Sequence, residues 1–317
     1  GQAGYGGTTS APYSSGESNV AMGYQALKAF TTSTQNVAIG TEALMDRTSG
    51  YGATAVGYQA GYNLTSGDNN TILGWKAGYT MTTQHEHTLV GRKAGYSIDN
   101  AASQGTTAVG FSSLSALTSG IGNVAVGYET LLAEDTGDYN TAIGYQALRT
   151  QNRDGTVNNT AVGYKAGYAV TDGWSNTYIG SNAAVAATTG FEQTIIGAGA
   201  GQRLTTGDYN TAVGANALAN EDIGRGATAI GYNALNKQDS NSSDEDSANV
   251  AVGEYAGYDI TTGTNNTFIG AYAGDNASTT SNNVAIGYQS LGAETGSLLT
   301  GGSTVAIGYQ AFGVSEG

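Results

Sequence analysis

Glycine returns along this chain at Gly23, Gly40, Gly57, Gly74, Gly91, Gly110, Gly127, Gly144, Gly163, Gly180, Gly197, Gly214, Gly231, Gly253, Gly270, Gly287 and Gly308, each time directly behind an aliphatic residue. Twelve of the 16 intervals are 17 residues; the others are 19, 21 or 22. A 17-residue period is too short for helix-pair repeats or propeller blades. It suits one coil of an all-β, parallel β-solenoid of about 17 coils, with two short strands and two turns per coil. A single coil buries little, so stability would come from stacking on neighbours. At about 4.8 Å per coil the stack would be long.

With the recurring glycine as position 0, each column predicts a role. Position −1 is Ile, Val, Leu or Met throughout, and position −3 is Thr in 11 units and Val in 6. By period-two alternation these share one face of a strand, and β-branched residues suit that backbone. The uniform aliphatic column is expected to be the core. Position 0 is expected to need positive φ or close backbone packing. Position −4 is Asn in 11 units, and stacked Asn side chains can hydrogen-bond along the axis to groups a turn leaves unpaired.

Position −2 is Ala in 12 units, on the opposite face of the strand. With the aliphatic column taken as core, this face is expected to lie outside the coil and to be covered by self-association about a symmetry axis. The expected interface is Ala21, Ala38, Ala55, Ala108, Ala125, Ala142, Ala161, Ala212, Ala229, Ala251, Ala285 and Ala306. The exceptions are Ile72, Leu89, Tyr178, Ile195 and Phe268; in three of those units position +1 shrinks to Ser181, Ala198 or Ala271, which suggests volume exchange between −2 and +1.

Asp and Glu number 25 against 11 Lys and Arg, for a net charge of −14. That balance repels phosphate backbones and argues against nucleic acid. No apolar run reaches the roughly 20 residues of a membrane span, and the absence of cysteine removes disulfides and thiolate metal sites. Both ends stop partway through a unit, so the chain is expected to be a segment of a longer protein: a lead-in over 1–18, the repeat solenoid over 19–312 and a tail over 313–317.

The nine residues Asn-Thr-Ala-Ile-Gly-Tyr-Gln-Ala-Leu at 140–148 recur with small changes at 19–27 and 283–291, and a Thr-Thr-Gly-Asp-Tyr-Asn link stands at 205–210. This pattern resembles the repeats of bacteriophage tail-fibre proteins. Its Val-Ala-Ile-Gly core also resembles the heads of trimeric autotransporter adhesins, which have shorter coils. The resemblance covers residues 19–312 and implies a left-handed, trimeric β-roll in a non-enzymatic fibre shaft that serves host attachment. It implies a homotrimer in the virion, joined at its ends to other fibre or virion proteins and facing a host-surface glycan or protein. The alternative is the passenger region of a bacterial surface adhesin or extracellular filament. A third class, an ice-binding solenoid, is suggested by the Thr column and opposed by that column sharing its face with the expected core.

Few residues offer chemistry. His85 and His87, at −6 and −4, are in phase with Leu89 at −2. On a threefold axis they would aim six imidazoles inward, a set suited to an octahedral transition metal, as the resemblance to iron-binding His-x-His fibre tips also implies. Otherwise they form a solvated corner in which His87 replaces Asn, and no cofactor is implied. The +1 tyrosines (Tyr24, Tyr58, Tyr128, Tyr145, Tyr164, Tyr232, Tyr288 and Tyr309) either stack on glycan or form an aromatic ladder between chains. Asp68, Asp138 and Asp208 recur in a Gly-Asp turn, one carboxylate per turn where calcium β-rolls need several. The adjacent pairs Glu134-Asp135 and Glu221-Asp222 point apart, unlike the facing carboxylates of glycosidases. The insertion Lys237 to Ser247 carries Asp239, Asp244, Glu245 and Asp246 and is expected to be a solvated loop.

Overall fold

The structure, a computed structural model, describes residues 15–240, 246–275, 277–292 and 302–312. The 313–317 tail, most of the 1–18 lead-in and residues 241–245 of the acidic insertion lie outside the described residues. Every repeat glycine follows a three-residue strand at positions −3 to −1. The chain divides into two compact units, Gly1–Asn158 and Asn159–Gly317. The first holds eight such strands, from Val20–Met22 to Thr141–Ile143, and the second nine, from Thr160–Val162 to Val305–Ile307. Within each unit successive strands pair in parallel, column on column: Val37 lies opposite Thr54, Ala38 opposite Ala55 and Ile39 opposite Val56.

The fold is therefore the parallel β-solenoid that the period predicts, with one regular strand per coil in place of two. Among the described residues a second strand appears only where Gly137–Asp138 pairs with Gly155–Thr156, besides single bridges such as Thr34 with Tyr51. No helix occurs among the described residues, and none is long and apolar enough to cross a membrane.

The repeat glycines have φ between +126 and +140. A Cβ built on Gly57 would stand 2.5 Å from the carbonyl oxygen of Gly74 in the next coil. Both the conformation and the close stacking thus require glycine. Three further positions are left-handed without being glycine. Lys76 at +2 has φ 53, Leu44 at +4 has φ 48 and Asn69 at −5 has φ 55. Each such residue costs on the order of 1 kcal/mol. The bends aim backbone N–H groups along the axis, where they are satisfied by neighbouring coils: Lys76 N donates to Tyr58 O at 2.9 Å, Leu44 N to Ala60 O at 3.0 Å and Asn69 N to Tyr51 O at 3.1 Å.

The core corrects the sequence reading. Position −2 faces inward, and positions −3 and −1 face out. Ala38, Ala55, Ala108, Ala125, Ala142, Ala161, Ala212, Ala229, Ala251 and Ala285 are fully buried within their own chain, Ala306 nearly so, and Ala21, in the first described strand, is half-buried. They are not a surface that a second chain could cover. Alternation states that −2 and −1 lie on opposite faces, but not which face is inside. The narrow interior decides: it accepts alanine at −2 because +3, +4 and +7 fill the rest, as Ala43, Leu44 and Leu64 show.

Volume exchange is real, but its partner is +4. All five units with a bulky −2 residue have a small +4: Gly78, Gly95, Ala184, Gly201 and Gly274. Where −2 is Ala, +4 is Leu or Phe except at Gly61, Gly167 and Gly257, and each of these lies one coil before a bulky −2 residue. Contact explains the rule: a Cβ on Gly274 would stand 2.4 Å from Phe268 Cδ1, and one on Gly61 would stand 3.0 Å from Ile72 Cδ1. The change at +1 is not packing, because +1 projects outward, as the exposed Tyr58 and Tyr128 show.

The Asn ladder forms as expected. Asn70 Oδ1 accepts the backbone N–H of His87 at 3.0 Å, one coil on, and its Nδ2 donates to Gln84 O in its own second turn at 2.8 Å. Asn123 repeats the pattern, accepting from Asn140 N and donating to Gly137 O.

Candidate interaction faces

With −2 inside, the outward face of each short sheet consists of the Thr/Val column at −3 and the Ile/Val column at −1. Val56, Ile143, Ile179, Ile230 and Ile269 are each exposed by 36–40%. In the second unit Thr160, Thr177, Thr194, Thr211 and Thr228 stand in unbroken register, flanked two residues on by Val162, Ile179, Ile196, Val213 and Ile230. The Thr column thus shares its face with an outward aliphatic column rather than with a core, which removes the objection raised against an ice-binding surface.

The two histidines do not converge. His87 is buried in the coil and occupies the Asn column as an Asn mimic. Its Nδ1 accepts the Thr106 N–H at 3.3 Å, and its Nε2–H donates to Ser103 O at 3.3 Å. Burial lowers its pKa from 6.5 to about 4, against the opposing effect of those two hydrogen bonds. His85 lies at the surface, where its Nδ1 accepts the Asp68 N–H at 3.0 Å. Both nitrogens of His87 are thus engaged inside one chain, while His85 stands at the surface, so within the chain the pair does not present converging imidazoles. Among the described residues no three or more His, Cys, Asp or Glu side chains gather as a metal-ligand set.

The recurring aspartates cap the preceding coil. Asp68 Oδ1 accepts Tyr51 N at 2.8 Å, Asp138 Oδ1 accepts Ile121 N at 2.8 Å and Asp208 Oδ1 accepts Phe191 N at 3.1 Å. The glutamates at +7 point into the core. Glu221 is satisfied there, accepting from Gln238 Nε2 at 2.7 Å and from Gly224 N at 2.7 Å. Glu134 accepts Gly137 N at 2.6 Å through Oε1, while its Oε2 has no hydrogen-bond partner. Burial raises its pKa to about 7. Arg47 occupies the same column, fully buried, donating to Gly67 O and Tyr51 O with Asp68 at 4.0 Å.

The +1 residues form a ladder within the chain. Tyr58 stacks on Trp75 with ring centroids 6.3 Å apart, Arg92 lies between Trp75 and Phe111 at 4.8 and 5.2 Å, and Phe111, Tyr128 and Tyr145 follow at 5.1 Å spacings. A parallel ladder at +5 joins Tyr62, Tyr79 and Tyr96 at 5.2 and 5.3 Å. Sequence reasoning singled out the +1 tyrosines but missed the +5 rings and the cations among them; the Lys at +2 in two successive units was the available signal.

Comparison with protein-family models, curated proteins and solved structures gave no match.

Proposed function

We infer that the chain is a structural shaft, of the kind found in phage tail fibres and serving host attachment, and that it assembles as a homotrimer through the outward Thr/Val and Ile/Val columns. The observation that supports this is the outward apolar stripe repeated in every described coil. A soluble monomer seldom shows so large a contiguous patch, and burial of its β-branched side chains would contribute about 25 cal/mol per Å². The left-handed winding, the viral setting and the absence of catalysis belong to the same reading and rest on the resemblance of the repeats to those of tail fibres. The bacterial adhesin passenger shares this architecture and would be told apart by the flanking gene sequence, as a chaperone domain or a membrane barrel.

Light scattering of the purified chain tests the assembly. A particle of three times the 32.0 kDa chain mass is expected; a monodisperse monomer would overturn the reading. The register of outward Thr in the second unit favours a second reading, ice binding by the same face. Thermal hysteresis that disappears with Thr194→Lys would support it, and a face covered by trimerisation would show none.

A further inference from the structure

The two coils that follow Gly74 and Gly91 are successive coils that carry cations at +1 and +2, Lys76 in the first and Arg92 with Lys93 in the second. They bring together Trp75, Lys76, Tyr79, Arg92, Lys93 and Tyr96 on the outer corner of the first unit. Three of the chain's 11 Lys and Arg residues stand here, although its net charge is −14. No ion pair is recorded for them among the described residues, whereas Arg149, Arg225 and Lys237 each have an acidic partner. The +2 column bounds the patch: it runs Glu42, Gln59, Lys76, Lys93, Ser112, Glu129, so the charge changes sign on either side.

The ring ladders hold the cations in place. Lys76 Nζ lies 5.0 Å from the Trp75 ring and 4.9 Å from that of Tyr79. Lys93 Nζ lies 5.3 Å from the Tyr96 ring and 6.0 Å from Trp75. Arg92 stacks over Trp75 at 4.8 Å. Such contacts fix the position of a cation without neutralising it, so the patch presents a preorganised row of positive donors beside the tyrosines.

We propose that this patch binds a linear acidic polysaccharide, a polymer of carboxylated sugars. The ligand class follows from three features. First, positive groups rise along a ladder whose rungs are set by the coil spacing of about 4.8 Å, close to the length of one sugar along an extended polysaccharide. Second, Trp75 lies between Tyr58 and Arg92, Tyr79 between Tyr62 and Tyr96, and Tyr96 carries Lys93 over its ring, so the ring faces are engaged by neighbouring rings and cations. That arrangement denies nucleobases the open faces on which they stack. Third, the acidic remainder of the chain repels a dense polyanion far more than a sparse one. Duplex DNA carries a charge every 1.7 Å or so, whereas a polyuronate carries at most one per sugar. The site lies within one chain and needs no second copy.

Titration calorimetry of the full chain with polygalacturonate, at roughly 0.15 M salt, tests the proposal. Binding is expected, with no binding of neutral dextran and weaker binding of oligothymidylate. The variant K76Q/R92Q/K93Q should lose at least about tenfold in affinity. K237Q, whose lysine pairs with Asp259 at 2.5 Å, should bind as the unaltered chain does. Should the triple variant fail to fold, Lys93→Gln alone should still weaken binding by roughly threefold. The proposal is overturned if polygalacturonate does not bind, if dextran or oligothymidylate binds as well, or if neutralising the cations leaves the affinity unchanged.

Discussion

Two buried residues in the first unit titrate in opposition. The His87 pKa is lowered from 6.5 to about 4, so its unfolded form binds the extra proton and stability is lost as pH falls below 6.5. The Glu134 pKa is raised from 4.5 to about 7, so its folded form binds the extra proton and stability is lost as pH rises from 4.5 towards 7. Each effect is worth about 3 kcal/mol at full extent. Between pH 4.5 and 6.5 these two contributions oppose and largely cancel each other. Glu134→Gln should remove one slope, raising stability by about 2–3 kcal/mol above pH 7 and leaving a curve that climbs from pH 4 to 6.5. Gln already fills this column at Gln151 and Gln238. His87→Asn restores the residue most coils use and should leave the opposite slope. Thermal melts at several pH values check both; parallel curves for the two variants would refute the assignment. Arg47 obeys the same column logic. Desolvation lowers its pKa to about 10, and Asp68 counters only part of that cost. Arg47→Leu, the residue at Leu64 one coil on, fills the space but leaves the Gly67 carbonyl without its donor, and should cost about 1–2 kcal/mol. Arg47→Ala should destabilise by about 2–4 kcal/mol, through both a cavity and an orphaned Gly67 carbonyl.

The coil has a fixed interior volume shared between −2 and +4, and this can be measured. Phe268→Ala should cost about 3–5 kcal/mol. Gly274→Leu alone should cost roughly 1–3 kcal/mol, because its side chain would enter the space of the Phe268 ring. The double variant recreates the Ala-and-Leu pairing of the Leu44 coil, and denaturant melts should show about 1–3 kcal/mol of favourable coupling. Additive losses would mean the two positions do not share space. At this scale the sequence disclosed much: the strand at −3 to −1, the glycine at 0 and the Asn ladder follow directly from period and residue chemistry. The inward face did not. Alternation separates Ala142 from Ile143 without saying which is inside, and the habit of placing the larger residue in the core chose wrongly. The correcting signal was the linked variation of −2 and +4, as in Phe268 with Gly274. The left-handed residues at +2 and +4 were also hidden, since Lys76 and Leu44 belong to types that seldom adopt that conformation; only stacked coils make it favourable. The interior role of His87 was hidden by the same error of face, which turned an Asn substitute into an expected ligand.

Within each unit, stability is a sum over neighbouring coils, and assembly is a property of the outward columns, so two adjacent residues can separate folding from association. Ile195 and Ile196 have the same chemistry and opposite surroundings: Ile195 is fully buried in the coil, while Ile196 faces outward between Ile179 and Val213. Ile195→Lys would bury a charge that nothing in the interior can pair, at a cost of several kcal/mol. It should lower the melting temperature steeply and disrupt the coils on either side, because each depends on its neighbour. Ile196→Lys leaves its charge in water in the single chain. It should keep the β circular dichroism and most of the stability, but in a trimer three such charges would meet in an apolar contact, so light scattering should report monomers. Ala142→Arg belongs with Ile195→Lys: its side chain has no space inside the coil, so it should abolish folding of its coil rather than merely prevent association. If Ile196→Lys folded with an unchanged oligomeric mass, the outward columns would not be the assembly surface. If Ile195→Lys were as well tolerated as Ile196→Lys, the assignment of the interior itself would fail.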